Sequence, residues 1–351
     1  MKMSLVTPIP WTTGTTYTQV YREAIEQVRY AEELGFDCVW FTEHHFATHG
    51  INPSVFSFIG YVAGVTKRIH LGTAVAVVPL YHPLRLAEDV ATVDIVSNGR
   101  LELGIGSGYR QDEFKGFRVA QEESRAMLLE GVEILQRAWT GGPFGYHGKY
   151  HIVPEGTVVR PTPLQKPHPP IWVAGVSPQT LEWVARQGYR WMGATTTASF
   201  AQLGRLRTHF DQALLKAGRT PADGESYVHF PIFISDKPQA DIKRELEPAL
   251  TWLAKAVSTG GTIYQQRASS TQGPSIPLQQ FNFDAYQEHS AVVGDVDFCL
   301  EKITACWKQL RFAHMTCAFG LGLPHTATMK NMEKFARYLM PSLRNLETKL
   351  Q

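Results

Sequence analysis

The 351-residue sequence lacks the features of a membrane span, a disulfide scaffold or a nucleic-acid-binding surface. No run of about 18 apolar residues is present, and residues 1–20 do not have the pattern of a signal peptide. The net charge is only +2 and there is no polybasic tract, which argues against nucleic-acid and membrane partners. The four cysteines, none in CxxC spacing, favour reduced core thiols and a cytoplasmic location. They are Cys38, Cys299, Cys306 and Cys317.

Strand-like and helix-like runs alternate along most of the chain. The amphipathic runs between the strands are long enough to be helices that connect parallel strands. Eight strands that each lead into a helix predict a (β/α)₈ TIM barrel, here as one domain over residues 1–351, with a doubly wound sheet as the alternative. The eight strand-like runs are MSLVTP, DCVWFT, RIHLGTAVAV, RLELGIGSG, IWVAG, YRWMGA, YVHFPIFIS and AHMTCAFG.

Two segments interrupt the alternation. Residues 141–170, after the fourth helix, predict a hairpin with glycine turns followed by a proline-rich connector. Residues 260–284, after the seventh helix, are rich in Gln and Ser and have few aliphatic side chains. A segment of this length inside a compact domain is either disordered or a mobile lid.

The second predicted strand runs without a turn residue into Glu43, His44 and His45. In a barrel of this kind the carboxyl ends of the strands carry the chemistry, which makes His44 the candidate catalytic residue. Successive strand residues point to opposite sides, so the two imidazoles should diverge. This argues against a metal pair and a metal-dependent hydrolase. For His45, a bond to a loop carbonyl is at least as good an explanation as catalysis.

The other strand ends are rich in small residues. The third strand ends in small side chains over residues 71–79, which leave room for a flat group against the backbone. The fourth ends in GIGSGY (104–109), whose glycines allow either close approach of a ligand or a tight turn. No helix is predicted directly after Gly108, so this run does not form a dinucleotide-binding fingerprint.

A predicted helix after the fifth strand begins with Ser177 and Pro178, and Thr180 follows in its first turn. Hydroxyl groups and free N–H groups at a helix N-terminus can bind an anion, or they can form an ordinary cap. Arg125, near the start of the fourth helix, either contributes to the same anion site or is a surface arginine. Asn52 is predicted to cap the second helix, with Pro53 as its first residue.

These strand ends together resemble the luciferase-like flavin monooxygenases, and most closely the α subunit of bacterial luciferase. The resemblance extends from the first strand to the last helix and is densest over residues 28–185. Its most specific elements are EHHF and the helix pattern HP…EDV…D…S.GR. It is weakest over residues 190–290, where substrate selection is expected to vary. The motifs that carry it are YAEELGFDCVWFTEHHF, HLGTAVAVVPLYHPLRLAEDVATVDIVSNGRLELGIGSGY, SRA, PPIWVAGVSPQTLEWVARQG and FARYLMPSL.

The resemblance implies a barrel that binds reduced FMN from a separate reductase. With O₂ the flavin would form a C4a-peroxyflavin that oxygenates an aldehyde-like or other small apolar substrate. His44 matches the family's catalytic histidine, and Ala74 and Val75 match a flavin-contacting strand end that often contains a non-proline cis peptide. The phosphate-site matches are Arg125, the backbone N–H of Val176, Ser177 and Thr180.

Two positions depart from the luciferase α subunit. Gly106, beside the flavin, replaces a reactive cysteine, and Ser107 replaces a phosphate-binding arginine. These changes argue against light emission but are compatible with oxygenation, and Arg110 is a candidate replacement for the missing arginine. Two alternatives keep the same fold, namely a deazaflavin-dependent oxidoreductase and a non-catalytic flavin-binding protein.

The second and third predicted helices are unusually apolar for the outside of a barrel. They contain PSVFSFIGYVAGV and PLRLAEDVATVDIV, with little charge to favour contact with water. The resemblance places these two helices at a subunit interface, so it implies a homodimer.

Overall fold

The computed structural model describes residues 1–12, 14–196, 198–258, 283–320 and 322–346. Eight parallel strands within these ranges close into a barrel, because β9 pairs with β10 at the point where an open sheet would have its edges. In chain order the strands are β1 (Lys2–Thr7), β2 (Cys38–Phe41), β3 (His70–Thr73), β4 (Ala76–Val77), β5 (Leu101–Gly106), β6 (Phe144–His147), β7 (Ile152–Thr157), β8 (Ile171–Ala174), β9 (Arg190–Ala194), β10 (Ser226–Ile234), β11 (Val292–Gly294) and β12 (His314–Ala318).

The barrel order is β1, β2, β3, β5, β8, β9, β10 and β12, which confirms the TIM barrel and excludes the doubly wound sheet. All eight predicted strands are barrel strands. The short β4 pairs with β5, and β11 pairs with β10. The predicted hairpin in residues 141–170 is confirmed as the antiparallel pair β6–β7.

Helices follow the strands around the outside of the barrel. None of those described has the length and apolarity needed to cross a membrane. They are α1 (Tyr17–Glu33), α2 (Val55–Val65), α3 (Pro83–Val96), α4 (Gln111–Phe117), α5 (Ser124–Trp139), α6 (Pro178–Gln187), α7 (Phe200–Lys216), α8 (Gln239–Ser258), α9 (Phe283–His289), α10 (Val296–Leu310), α11 (His325–Lys334) and, after a π-helical turn (Phe335–Leu339), α12 (Met340–Arg344).

Two expectations change at this level, and a third lies almost wholly outside the described residues. The predicted cap at Asn52 is wrong, because α2 begins at Val55 after Ser54 and the Asn52 amide donates to the Thr42 carbonyl at 3.1 Å. A short helix, α4, follows the glycine-rich end of β5, where none was predicted. Of the predicted lid, only residues 283 and 284 are among those described, and they begin α9.

Alternation along the strands separates two cores. Residues such as Leu5, Val39 and Phe41 point outward and pack under the helices. The intervening residues point into the barrel, where Trp40, Trp172 and Tyr227 form a cluster with ring centroids 5.0–5.7 Å apart. The resulting aromatic floor fills the barrel interior towards the amino ends of the strands.

Arg100 joins the ends of α2 and α3 to β5. Its Nε donates to the Ser97 carbonyl at 2.7 Å, and its Nη2 donates to the Ala63 carbonyl at 2.9 Å. Its Nη1 donates to the Thr66 hydroxyl and the Ile69 carbonyl, each at 2.9 Å. One side chain therefore satisfies several carbonyls near two helix C-termini, where positive charge is also favoured.

We predict that Arg100→Met lowers the free energy of unfolding by on the order of 2 to 3 kcal/mol, because the carbonyls lose charged donors that Met cannot replace. Denaturant unfolding monitored by circular dichroism measures this change. Arg85→Met is the control, since Arg85 is exposed on α3 and its ion pairs among the described residues are with Glu88 and Asp89. The control should change stability by less than about 1 kcal/mol. Equal losses in the two variants would contradict this role of Arg100.

Candidate active site

The barrel is open above the aromatic floor. At the carboxyl ends of the strands, the last inward-facing residues are partly or fully exposed, while most of the strand residues around them are buried. Most of them have small side chains, which leave a cavity between the strand ends. They are Val6, Thr42, Ala74, Ala174, Ala194 and His229.

His44 lies at this open end, just after β2. Its Nδ1 is 3.0 Å from Oε1 of Glu113, and its Nε2 is 3.4 Å from the Tyr109 hydroxyl. The Glu113 side chain is only 1% exposed and that of His44 is 11% exposed. A carboxylate next to Nδ1 favours the tautomer with hydrogen on that nitrogen, which leaves Nε2 able to accept a proton. The His49 ring packs 4.4 Å from the His44 ring, centroid to centroid.

Glu113 is the site residue that the sequence reading missed. It lies in the first turn of α4, and its Oε1 also accepts a hydrogen bond from the backbone N–H of His45 at 3.0 Å. The adjacent acidic residues Asp112 and Glu113 were an available signal, because acidic side chains are enriched in the first turn of helices. Their proximity to His44, 69 residues away along the chain, depends on the fold.

Arg110 is buried and forms hydrogen bonds with the Asp112 carboxylate. Its Nε and Nη2 donate to the Asp112 carboxylate at 3.1 and 2.5 Å, and the side chain is only 1% exposed. Its Nε is also 3.8 Å from Glu113. This arginine therefore anchors the start of α4, which disfavours it as a replacement phosphate ligand.

Glu43 points away from His44. Its Oε1 lies 3.2 Å from Nε2 of His45, and its Oε2 accepts a hydrogen bond from the Tyr81 hydroxyl at 2.5 Å. Burial raises the pKa of Glu43, although the hydrogen bonds from His45 and Tyr81 act in the opposite direction. Burial, followed by the charge of Glu43, raises the pKa of Tyr81. The two histidines thus have different side-chain partners, which is the divergence expected from strand alternation.

The ends of β3, β5 and β8 form a shallow surface with small side chains. The peptide bond between Ala74 and Val75 is cis, which the resemblance implied. A Cβ at Gly106 would lie 2.7 Å from Cγ2 of Val75, too close without a shift of one of them. The same Cβ would lie 3.9 Å from the Cβ of Ala174, so these strand ends meet. A planar group can lie close to the backbone here.

The N-terminus of α6 lies next to β8. Ser177 is its cap: the Ser177 hydroxyl accepts from the Thr180 N–H at 3.3 Å and lies 2.9 Å from the Thr180 hydroxyl. Val176 precedes the cap and is partly exposed. Arg125 lies in the first turn of α5 and is exposed, and no hydrogen bond or ion pair links it to the other residues in the described ranges. Its positive charge is therefore available to an anion.

The described ranges contain no group of three or more His, Cys, Asp or Glu side chains arranged to bind a metal ion. Hydrogen bonds instead join His44 to Glu113 and Arg110 to Asp112. This arrangement positions one imidazole beside an open cavity.

Comparison with known proteins assigns the family. The model of luciferase-like monooxygenases matches residues 1–314, so the chain belongs to the luciferase-like monooxygenase family. The resemblance inferred from the sequence is confirmed.

Among curated relatives, the oxygenase component of the flavin-dependent trigonelline monooxygenase from Acinetobacter baylyi is 33% identical over 203 residues. The match covers 57% of this chain and 56% of that protein. The chain aligns with about half the length of the curated relatives it matches.

Two solved structures share the fold. The monooxygenase RslO1 from Streptomyces bottropensis has a TM-score of 0.84 at 24% identity, covering 98% of this chain and 100% of that one. An F420-dependent secondary alcohol dehydrogenase, in complex with an F420–acetone adduct, has a TM-score of 0.74 at 16% identity, covering 98% and 99%. At these identities the likeness shows the fold alone.

The raised pKa of Glu43 predicts a pH-dependent effect of Glu43→Gln on stability. The folded wild type binds the proton of Glu43 more tightly than the unfolded chain does. This stabilisation of the folded state is fully present below pH 4.5, the ordinary pKa, and it is lost as the pH rises through the folded-state pKa. Gln does not ionise. The stability of the variant relative to wild type should therefore increase with pH above 4.5 and then level off.

Denaturant unfolding at a series of pH values measures this difference. Tyr81→Phe is the matched variant, because it removes a hydrogen bond that lowers the pKa of Glu43. In that background the increase produced by Glu43→Gln should still begin near pH 4.5, but it should extend to higher pH and become larger. A difference that falls with rising pH would contradict the prediction.

Proposed function

We propose that this chain, as a single domain, is the oxygenase component of a two-component FMN-dependent monooxygenase. In this proposal a separate reductase supplies reduced FMN, and a small aldehyde-like or other apolar compound is oxygenated with O₂. The observation that carries the proposal is the His44–Glu113 pair beside a surface of small residues and a helix N-terminus. The flavin-dependent oxygenase component among the relatives supports it.

The residues present fit a flavin. The surface formed by Ala74, Val75 and Gly106 would accept the ring system, because these three residues have small side chains or none, and Ala74 and Val75 are partly exposed. A phosphate would bind at the N-terminus of α6, where N–H groups and the helix dipole favour an anion. Its ligands would be the Val176 N–H, the Ser177 and Thr180 hydroxyls, and the Arg125 guanidinium. Bound reduced FMN would supply the chemistry that activates O₂.

His44 would move a proton at Nε2. The Glu113 carboxylate holds Nδ1, which fixes the orientation of the ring and stabilises the imidazolium when Nε2 takes up a proton. Tyr109 lies on the same side as Nε2 and would orient a substrate or a water molecule. The aromatic floor below and the buried pairs around Glu43 and Glu113 restrict water to the open end.

A deazaflavin-dependent oxidoreductase is the second candidate, because an F420-dependent dehydrogenase shares the fold. Titration of the protein with FMN and with F420, followed by mixing of the reduced complexes with air, separates the two. Tighter binding of FMN together with oxygenated product supports the monooxygenase. Hydride transfer to a carbonyl from reduced F420 supports the alternative. Flavin binding without either reaction would support a non-catalytic flavin-binding protein.

His44→Ala should lower product formation by ~10²–10⁴, the range for loss of a general acid–base group. FMN binding should remain nearly normal, because the proposed flavin contacts lie on other strands. Product formed per reduced FMN oxidised is the measurement.

Glu113→Gln should retain the fold but lower coupling, because an amide does not stabilise the imidazolium. His45→Ala, the neighbouring control, should lower stability more than turnover. Full coupled turnover by His44→Ala would rule out its catalytic role.

Arg125→Ala should weaken FMN binding roughly tenfold while leaving riboflavin binding nearly unchanged, because only FMN carries the phosphate. Fluorescence titration with the two flavins measures the difference. Arg137→Ala is the control on the same helix, since Arg137 is in the last turn of α5 and pairs with Glu133. Equal weakening of both flavins in Arg125→Ala would show that Arg125 does not contact the phosphate.

We also propose a homodimer that pairs α2 and α3 across two chains. Several apolar side chains on these helices are exposed, among them Tyr61, Val65, Ile95 and Val96. Light scattering at micromolar concentration should give twice the 39.3 kDa chain mass, and Val96→Asp should lower it. A monomeric wild type would contradict the proposed interface.

A further inference from the structure

His229 is the histidine of β10 that faces the interior of the barrel. It lies two residues after Tyr227, which belongs to the aromatic floor, and so points to the same side of the strand. Its register partner on β12 is Thr316, which in turn pairs with Ser4 on β1. These neighbouring residues form an inward-facing polar row in an otherwise largely apolar interior.

The His229 ring faces the open cavity. Tyr227 below it is 5% exposed and Phe230 beside it is fully buried, whereas His229 is partly exposed. Since the aromatic floor fills the barrel below, that exposed part faces the cavity between the strand ends. Thr316 and Ser4 are fully buried, so the imidazole is the part of the row that a bound molecule reaches.

No side chain in the described ranges satisfies the His229 ring. Its Nε2 is buried and has no hydrogen-bond partner there. Desolvation lowers the pKa of His229 to about 4, so the ring is neutral near pH 7 and carries one donor and one acceptor nitrogen. Nδ1 is not among these buried, unpartnered atoms, so it is at Nδ1 that a molecule in the cavity would form a hydrogen bond with the ring.

The position of His229 also separates it from the proposed flavin contacts. Those contacts come from the ends of β3, β5 and β8, and the phosphate site from α6. His229 is on β10, between β9 and β12 in the barrel. The small side chain of Ala194, its register partner on β9, leaves room beside it. This side of the cavity remains for the organic substrate.

We propose that His229 is a specificity-determining residue that hydrogen-bonds a neutral polar group of the organic substrate, such as a carbonyl oxygen, within an otherwise apolar cavity. This inference rests on the proposed function for the identity of the site. The predicted preference is for compounds with a carbonyl group over hydrocarbons of the same shape. A site built to hydrogen-bond such a group discriminates against an analogue that lacks it, because the polar partner is then left unpaired.

Binding of matched probe pairs tests this without turnover. In each pair the carbonyl oxygen is replaced by a methylene group: cyclohexanone with methylenecyclohexane, acetophenone with α-methylstyrene, and octanal with 1-nonene. Equilibrium dialysis gives the affinities for the full chain with and without FMN. We expect the wild type to bind the carbonyl member of at least one pair more tightly, by about three- to tenfold.

Three variants test whether His229 causes the preference for the carbonyl compounds. His229→Leu should abolish the preference, and His229→Gln should retain most of it, because an amide also donates and accepts. Thr316→Val is the matched control: it removes a buried hydroxyl of the same row that has no partner among the described residues, and Thr316 does not reach the cavity. That control should keep the preference. Circular dichroism establishes that each variant is folded.

The remaining outcomes overturn the inference. It fails if no pair shows a preference in the wild type, if the preference survives in His229→Leu, or if both members of a pair weaken equally. Failure of the proposed function has a different signature. Absence of FMN binding or of turnover refutes the monooxygenase, while a carbonyl preference that depends on His229 still supports the assignment of this residue.

Discussion

The packing of Trp40, Trp172 and Tyr227 inside the barrel is the constraint on which the candidate site depends. A closed sheet of eight strands has room for large side chains inside, and here those side chains lie towards the amino ends. Gly72 shows how tight the packing is, because a Cβ there would lie 2.2 Å from the Trp40 ring. With the lower interior filled, the small residues at the carboxyl ends leave the cavity open in one direction only.

Two buried carboxylates, Glu113 and Glu43, hold the side chains and loops at the open end in place. Glu113 accepts hydrogen bonds from two neighbouring residues, at the His44 ring and the His45 N–H, and so holds the loop after β2 against α4. Glu43 binds the other imidazole and the Tyr81 hydroxyl. Each carboxylate is buried and has several partners, which is the condition under which a buried charge is tolerated. Of the two adjacent imidazoles, that of His44 is thereby left facing the cavity.

Much of the fold was accessible from the sequence because strand and helix periodicities differ and alternate here without long interruptions. All eight barrel strands were found in this way, and the Ser177 cap is one of the helix boundaries that local chemistry indicated correctly. The predicted cap at Asn52 was wrong, because the Asn52 side chain binds the Thr42 carbonyl across a loop and the helix begins later. A polar side chain before an apolar run has several available partners, and local sequence does not distinguish among them.

The sequence by itself determined the strand and helix pattern, the strand-end position of His44 and the small residues at the ends of β3 and β5, since these depend on local periodicity and residue size. Only the tertiary structure decided that Glu113 is the partner of His44, that Arg110 is held by Asp112, and that His229 reaches the cavity. The physical reason is barrel closure. It brings together side chains from strands and helices that are distant along the chain, and the partner of a buried polar group is set by that geometry.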